Sequence, residues 1–223
     1  GRVFAARHAE CVFVYGGDMK ATSRLVADLR QGAAPRPIKV LPLATIVTGR
    51  TAAEARDKLD EYHRHASVEG VLAHASASLG VDFGRFDLDE PIDASGSQAI
   101  QSNIDALAAA LGAGWTKRMF IDNAVLGGRM PPIVGTPSQV ADVMQRWMTE
   151  GDVDGFNLSR TVMPESLETF IELIVPELQD RGLYKTSYAP GTYRQKLFGL
   201  GDRLGDDHPA ALERWQVATT APV

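Results

Sequence analysis

The sequence predicts an α/β fold in which part of a parallel sheet is covered by helices. Three observations carry this. Short β-branched and apolar runs alternate with segments of helical period, the order expected when crossover helices join parallel strands. The longest apolar run, Ile38 to Thr48, is nearly continuous, as in strands buried on both faces. Capping signals at Thr51 and Thr136 mark where helices open.

Gly1 to Glu10, with Val3/Phe4, Arg7/His8 and Cys11 at helical spacing, reads as the first turns of a helix. Cys11 to Tyr15 follows as a short buried strand closed by Gly16-Gly17. Residues 19–33 form a helix with Leu25, Val26 and Leu29 as its apolar stripe, and Pro35 and Pro37 end the connection to the strand at Ile38. Thr51 and Glu54 stand at capping-box spacing and open a helix through Leu59 and Tyr62. A second helical stretch reaches about Leu79.

Residues 80–97 break the pattern. Gly80, Gly84, Pro91 and Gly96, among five acidic residues from Asp82 to Asp93, make a long irregular excursion. Loops of that length are usually functional or disordered. Ile100, Ile104, Leu107 and Leu111 mark another helix ending at Gly112, and Trp115 to Pro132 carries no assignable period.

Thr136 is an N-cap, Pro137 takes the first helical position and Gln139 completes a capping box. Val140, Val143, Met144, Trp147 and Met148 follow as core-facing residues, and Gly151 supplies the stop. Val153 to Leu158 is a short strand. Pro164 opens a last long helix with Leu167, Phe170, Ile171, Ile174 and Leu178 on one side, a kink at Pro176 and an end at Gly182. From Tyr184 the chain is polar and predicts a surface tail.

The 223 residues suffice for one sizeable core in one or two domains. A net charge of −5 without a Lys/Arg cluster argues against nucleic acid. No basic amphipathic stripe suits a membrane surface, and no apolar run approaches the roughly 20 residues of a membrane span. The single cysteine, Cys11, excludes an internal disulfide and a cysteine-cluster metal site. It reads as a small buried hydrophobe, and the lack of disulfides fits a reducing cytoplasm. His63 and His65, two apart on a helix, face different ways and are no metal pair. Dinucleotide, P-loop and nucleophile-elbow motifs are absent.

Three strands leave two open, apolar sheet edges, an aggregation hazard. A barrel of eight strands needs more of them and about 250 residues. The chain starts with glycine inside a helical pattern. The expectation is a piece of a fold whose N-terminal part lies upstream of Gly1.

Specific strings then point to a family. Gly1-Arg2-Val3-Phe4-Ala5-Ala6-Arg7-His8-Ala9-Glu10, followed by Val12-Phe13, resembles a segment of the bacterial-luciferase-like flavin monooxygenases. The branch is that of nitrilotriacetate, EDTA and dibenzothiophene-sulfone monooxygenases. Gly135-Thr136-Pro137 with Asp154-Gly155-Phe156-Asn157-Leu158 resembles the pattern around the family's last barrel strand. Val175-Pro176-Glu177-Leu178-Gln179-Asp180-Arg181-Gly182 is similar to the end of its final helix, and Tyr188 to Leu200 to its tail.

The resemblance implies the C-terminal part of a (β/α)8 TIM barrel over residues 1–182, an insertion at about 80–132 and a tail over 183–223. It implies reduced FMN (FMNH2) supplied by a separate NAD(P)H:flavin reductase, and O2 used to oxygenate a small organic substrate. A cytoplasmic homo-oligomer is expected. The family's phosphate loop ends where this chain begins, so Gly1 and Arg2 become cofactor candidates: a helix N-terminus offers free amides to an anion. Arg118 is the substrate-contact candidate. His8 reads as packing or surface, and Asn157 faces either the barrel interior or the helices. The catalytic residues are expected upstream of Gly1, leaving the isolated chain inactive, poor at binding flavin and poorly soluble. Two alternatives stay open: an F420-dependent oxidoreductase of the same superfamily, and a non-catalytic half-barrel needing a partner chain. The substrate is not legible.

Overall fold

A computed structural model describes residues 1–16, 18–93, 104–105, 107–108, 111–124, 126 and 131–213. Among these, four parallel strands share one sheet, and all the pairing runs through one of them. That strand is β2 (Lys39–Thr48), the predicted apolar run. β1 (Cys11–Val14) pairs with its start, Cys11 opposite Lys39. β4 (Asn157–Ser159) pairs with its middle, Leu43 opposite Asn157. β3 (Ile133–Gly135) pairs with its end, Ile46 opposite Ile133.

Helices cover one face. α1 (Arg2–His8) and α2 (Met19–Ala33) pack on each other. Val26, Leu29 and Ala33 of α2 meet Val40 of β2 and Val153 in one buried cluster. α6 (Pro137–Thr149) presents Val140, Ala141 and Met144 to Ile46 of β2 and to Ile174 and Leu178 of the last helical segment. Each such aliphatic contributes about 1.5–3 kcal/mol when fully buried.

The alternation along β2 is what departs from expectation. Val40, Pro42, Ala44 and Ile46 are buried, whereas Leu41, Leu43 and Thr45 are only half-buried. The strand reads as buried on both faces, yet from Leu41 to Thr45 one face alone is covered by the described residues, and only at Val47 is the other face buried too. Cys11 follows the same rule: the sequence placed it inside, and the structure leaves it exposed with Phe13 on the uncovered side.

The described part of the 80–97 excursion is irregular but ordered on its own core. Phe83, in a short 3-10 turn at Phe83–Arg85, stacks on Phe120 at 4.9 Å between ring centroids. Trp115, Ile92 and Val81 close the cluster against Ala75 and Leu79 of α4 (Val68–Leu79). Lys117 donates from Nζ to the carbonyls of Phe83 and Phe86, at 3.1 and 2.9 Å. That core organises α5 (Lys117–Ala124) out of a stretch without readable period. Residues 94–103 lie outside the described set; Ile104, Asp105, Leu107, Ala108 and Leu111 of the predicted helix are helical.

Several local signals are refined. Thr136 and Gln139 form the full reciprocal box that opens α6. At α3 (Ala52–His65) the box is shifted: the Thr51 hydroxyl accepts from Glu54 N, but the Glu54 carboxylate accepts from Arg50 N at 2.8 Å. After α6 the left-handed residue is Asp152 (φ 57°), not the expected Gly151. The predicted last helix is an α-turn pair, α7 (Glu165–Thr169) and α8 (Val175–Asp180), joined by a π-turn over Phe170–Ile174. Pro176 has no N–H for an i−4 bond, and a widened turn in front of it absorbs that loss. The widening rotates the stripe, so Ile174 and Leu178 are buried while Leu167 and Ile171 face solvent.

The predicted strand Val153–Leu158 joins the ladder only at Asn157. Alongside Val40 the pairing is made by a side chain: the Asp154 carboxylate accepts from Val40 N at 2.9 Å while Asp154 N donates to Val40 O at 3.0 Å. Pro42, next along β2, has no N–H to continue a ladder. Arg30 Nη2 and Lys39 Nζ each reach the same carboxylate at 3.0 Å, and Arg30 also pairs with Asp152. Asp154 thus ties α2, β2 and the approach to β4 together.

Beyond the last helix, α9 (Tyr193–Phe198) returns to the start of the chain. Arg194 grips the Glu10 carboxylate through Nε at 3.0 Å and Nη2 at 2.7 Å.

Candidate functional site

In parallel sheets with crossover helices, functional groups gather at the carboxyl ends of the strands. Here those ends are the residues after Val14, Thr48, Gly135 and Ser159. Directly paired residues of parallel strands project to the same face. Asn157, opposite Leu43, and Ser159, opposite Thr45, therefore share the uncovered face with Leu41, Leu43 and Thr45. The sequence left Asn157 open between two faces; the register puts it on the side away from the helices. Phe13 and Tyr15 stand exposed along the same side of β1 and just beyond it.

A cavity of about 270 Å³ lies where β2 meets α6. Pro42, Leu43 and Ala44 of β2, Ile133 of β3, Trp147 of α6 and Phe156 line it. Gly16, just past β1, closes one side. A Cβ there would meet Pro42 Cβ at 2.9 Å and the Leu43 carbonyl oxygen at 3.1 Å, so only glycine fits without a shift. Thr45, with its hydroxyl, and Trp147, with its indole N–H, are the lining side chains that carry a polar group. None of these residues stood out as a site in the sequence except through the Gly16-Gly17 punctuation, because they come together from five separate segments.

Gly1 and Arg2 sit at the open start of α1. Gly1 makes no side-chain cap, and the first intrahelical bond is Ala5 N to Gly1 O, at 2.8 Å. The amides of the first turn therefore point outward without intrahelical acceptors. Arg2 reaches only the exposed Asp28 carboxylate, at 3.6 Å. Arg118, by contrast, lies on α5, away from the cavity lining, and its guanidinium is held by Asp89 through Nε at 2.7 Å and Nη2 at 2.9 Å. That hydrogen-bonded pair raises the Arg118 pKa and lowers that of Asp89. The structure does not bring Gly1, Arg2 and Arg118 together with the cavity as one lining set. His8 packs against Phe4 with the rings tilted and their centroids 4.6 Å apart, and His63 and His65 are exposed. Among the described residues no group of three or more His, Cys, Asp or Glu side chains could hold a metal ion.

Two titrating side chains are perturbed nearby. Partial desolvation, and then the Glu10 and Asp154 carboxylates, push the Cys11 thiol up against the opposing pull of Lys39, so its exposure does not make it a ready thiolate. Burial, with the Glu165 carboxylate as charge and hydrogen-bond partner, raises the Tyr62 phenol from 10.0 to about 12.

No helix among the described residues is long and apolar enough to cross a membrane. No family model matches the chain. Individual proteins do. The dimethyl-sulfide monooxygenase of Hyphomicrobium sulfonivorans is 38% identical over 221 residues, covering 96% of this chain and 46% of that protein. Its solved structure superposes with a TM-score of 0.82. The long-chain alkane monooxygenase of Geobacillus thermodenitrificans is 40% identical over 96% of this chain and 46% of that protein, and its structure superposes with a TM-score of 0.76. A riboflavin lyase solved with modified FMN and riboflavin is 30% identical, with a TM-score of 0.82 over 96% of this chain and 48% of that one. The chain spans about half the length of the curated relatives it matches. Over nearly its whole length it is thus homologous to the luciferase-like two-component monooxygenases, the group that also holds the nitrilotriacetate, EDTA and dibenzothiophene-sulfone enzymes.

Proposed function

We propose that the chain contributes about half of the barrel of a two-component monooxygenase that uses reduced FMN and O2 to oxygenate a small organic substrate. The observation that carries this is the 38–40% identity, over 96% of the chain, to proteins named as monooxygenases. A separate NAD(P)H:flavin reductase would supply the FMNH2, and the protein would act in the cytoplasm as a homo-oligomer. Nothing in the matches favours F420.

The residues present fit the flavin at one point. Gly1 and Arg2 would hold its phosphate, through first-turn amides and the guanidinium. When bound, reduced FMN supplies the oxygen chemistry. The chain's own part is to position: Leu41 and Leu43, with the three polar side chains Thr45, Asn157 and Ser159, offer a mixed wall that can pack on a ring system and hydrogen-bond its edge. Arg118 would reach substrate only by exchanging Asp89 for it. The test is an anaerobic titration of the intact protein with reduced FMN and with F420, followed by oxygen-dependent turnover with a reductase. Tight F420 binding without affinity for reduced FMN sinks the reading. Arg2→Ala should weaken FMN while leaving riboflavin, which has no phosphate, unaffected.

A further inference from the structure

The uncovered side of the sheet changes character along its length. Leu41 and Leu43 make its amino-end part apolar. Toward the carboxyl ends it turns polar, with Asn157 opposite Leu43 and then Ser159 opposite Thr45. All five side chains are half-buried, and none is charged. Inward positions of parallel barrels are dominated by branched apolar residues, so three hydrogen-bonding side chains in one patch depart from that pattern. Among the described residues, none of the three side chains has a hydrogen-bond partner. Nearby hydroxyls are engaged within the fold: Thr48 Oγ1 donates to Gly135 O at 2.8 Å, and Ser166 Oγ accepts from the Thr161 and Val162 amides. A polar group left unpaired once water has gone is costly. A ligand that dries this face must therefore bring partners to Asn157, Thr45 and Ser159.

The groups present define those partners. A carboxamide offers a donor and an acceptor side by side, and a hydroxyl offers a further donor. Neighbouring strands lie about 4.8 Å apart, so the paired Thr45 and Ser159 hydroxyls can serve one small group between them. Asn157 stands on the same face, two residues before Ser159. Donor, acceptor and donor together complement a cyclic imide, which presents carbonyl, N–H and carbonyl along one edge. A flavin carries that edge on its pyrimidine ring, at C2=O, N3–H and C4=O. Its benzenoid end is apolar, as are Leu41 and Leu43.

We propose that Asn157, with Thr45 and Ser159, receives the imide edge of the flavin. The Asn157 carboxamide accepts from N3–H and donates to one carbonyl, and a Thr45 or Ser159 hydroxyl donates to the other. This rests on the reading that the protein binds reduced FMN, and it assigns the ring contact, which is separate from the phosphate contact of Gly1 and Arg2.

The test is an anaerobic titration of the intact protein with reduced FMN and with reduced N3-methyl-FMN, in which a methyl group replaces the N3 hydrogen. The wild-type protein should bind FMN about tenfold more tightly than the methylated analogue. Asn157→Leu, similar in shape, should weaken FMN by about tenfold and leave the analogue nearly unchanged, so that the preference disappears. Should Asn157→Leu fail to fold, Asn157→Ala makes the same test. Ser159→Ala should weaken both flavins by about threefold and keep the preference. Equal binding of the two flavins by the wild-type protein overturns the inference. So does a preference that survives in a folded Asn157 variant, because a merely structural asparagine would weaken both flavins alike. Either result leaves the FMN reading standing. Failure of the wild-type protein to bind reduced FMN at all overturns both.

Discussion

Replacing Asp154 tests how the sheet is held to its helices. Its carboxylate, with the side chain 14% exposed, accepts from Arg30, Lys39 and the Val40 amide at once. Arg30 and Lys39 are 34% and 30% exposed, so their attraction is partly screened by solvent. Breaking a fully buried pair costs about 3–5 kcal/mol, and an exposed one at most about 1 kcal/mol. An intermediate site should lose about 2 kcal/mol from the charges. Asp154→Ala also strands the Val40 N–H, which adds about 1–2 kcal/mol. The alanine variant should therefore lose roughly 3–4 kcal/mol in urea unfolding, with the midpoint lowered and the slope unchanged. Asp154→Asn keeps an acceptor for Val40 N and should lose about half as much. A loss below about 1 kcal/mol for alanine, or equal losses for the two variants, would refute the claim that one carboxylate joins α2, β2 and β4.

The Tyr62 phenol should titrate near about 12, against an ordinary 10.0, when followed by ultraviolet absorbance. Because the folded value is raised, its stabilisation is complete below pH 10 and disappears as pH rises through about 12; a normal titration, or an unchanged one in Glu165→Gln, would contradict the Glu165 contact. Thr136→Ala removes the capping box of α6 and should lower stability by about 1 kcal/mol, with Thr136→Ser near neutral. Arg194→Ala releases the grip on Glu10 and should speed proteolysis around Gly199–Gly205 without changing the melt of the sheet; an unchanged cleavage pattern would mean the tail is held otherwise. Arg118→Gln should leave stability unaltered, since both partners of its pair are largely exposed.

What the sequence disclosed was what is local. Thr136-Pro137-Ser138-Gln139 opens α6 where it stands, because a capping box needs only four consecutive residues. The run from Ile38 to Thr48 is a strand, since its length and branching leave no other element. What it hid is made by distance. β3 is three residues after a proline, too short for any period to register. Cys11 and Phe13 look buried by type, but the face they project from is uncovered by the described residues. Asp154 stands in the segment Asp154-Gly155-Phe156-Asn157-Leu158, yet its partners lie 114 to 124 residues away. Pro176 was legible as a break in the last helix, but not the form the break takes, a widened turn over Phe170–Ile174. The cavity is the same case, with Gly16, Thr45, Trp147 and Phe156 meeting only once the sheet has formed.

The central claim is that this chain is part of a reduced-flavin monooxygenase. Its most direct test is oxygen uptake by the intact protein mixed anaerobically with reduced FMN and then exposed to O2, with and without a small organic substrate. The account predicts binding of reduced FMN, no binding of F420, and one oxygen atom from labelled O2 in the product. F420-dependent hydride transfer with no label in the product would contradict it.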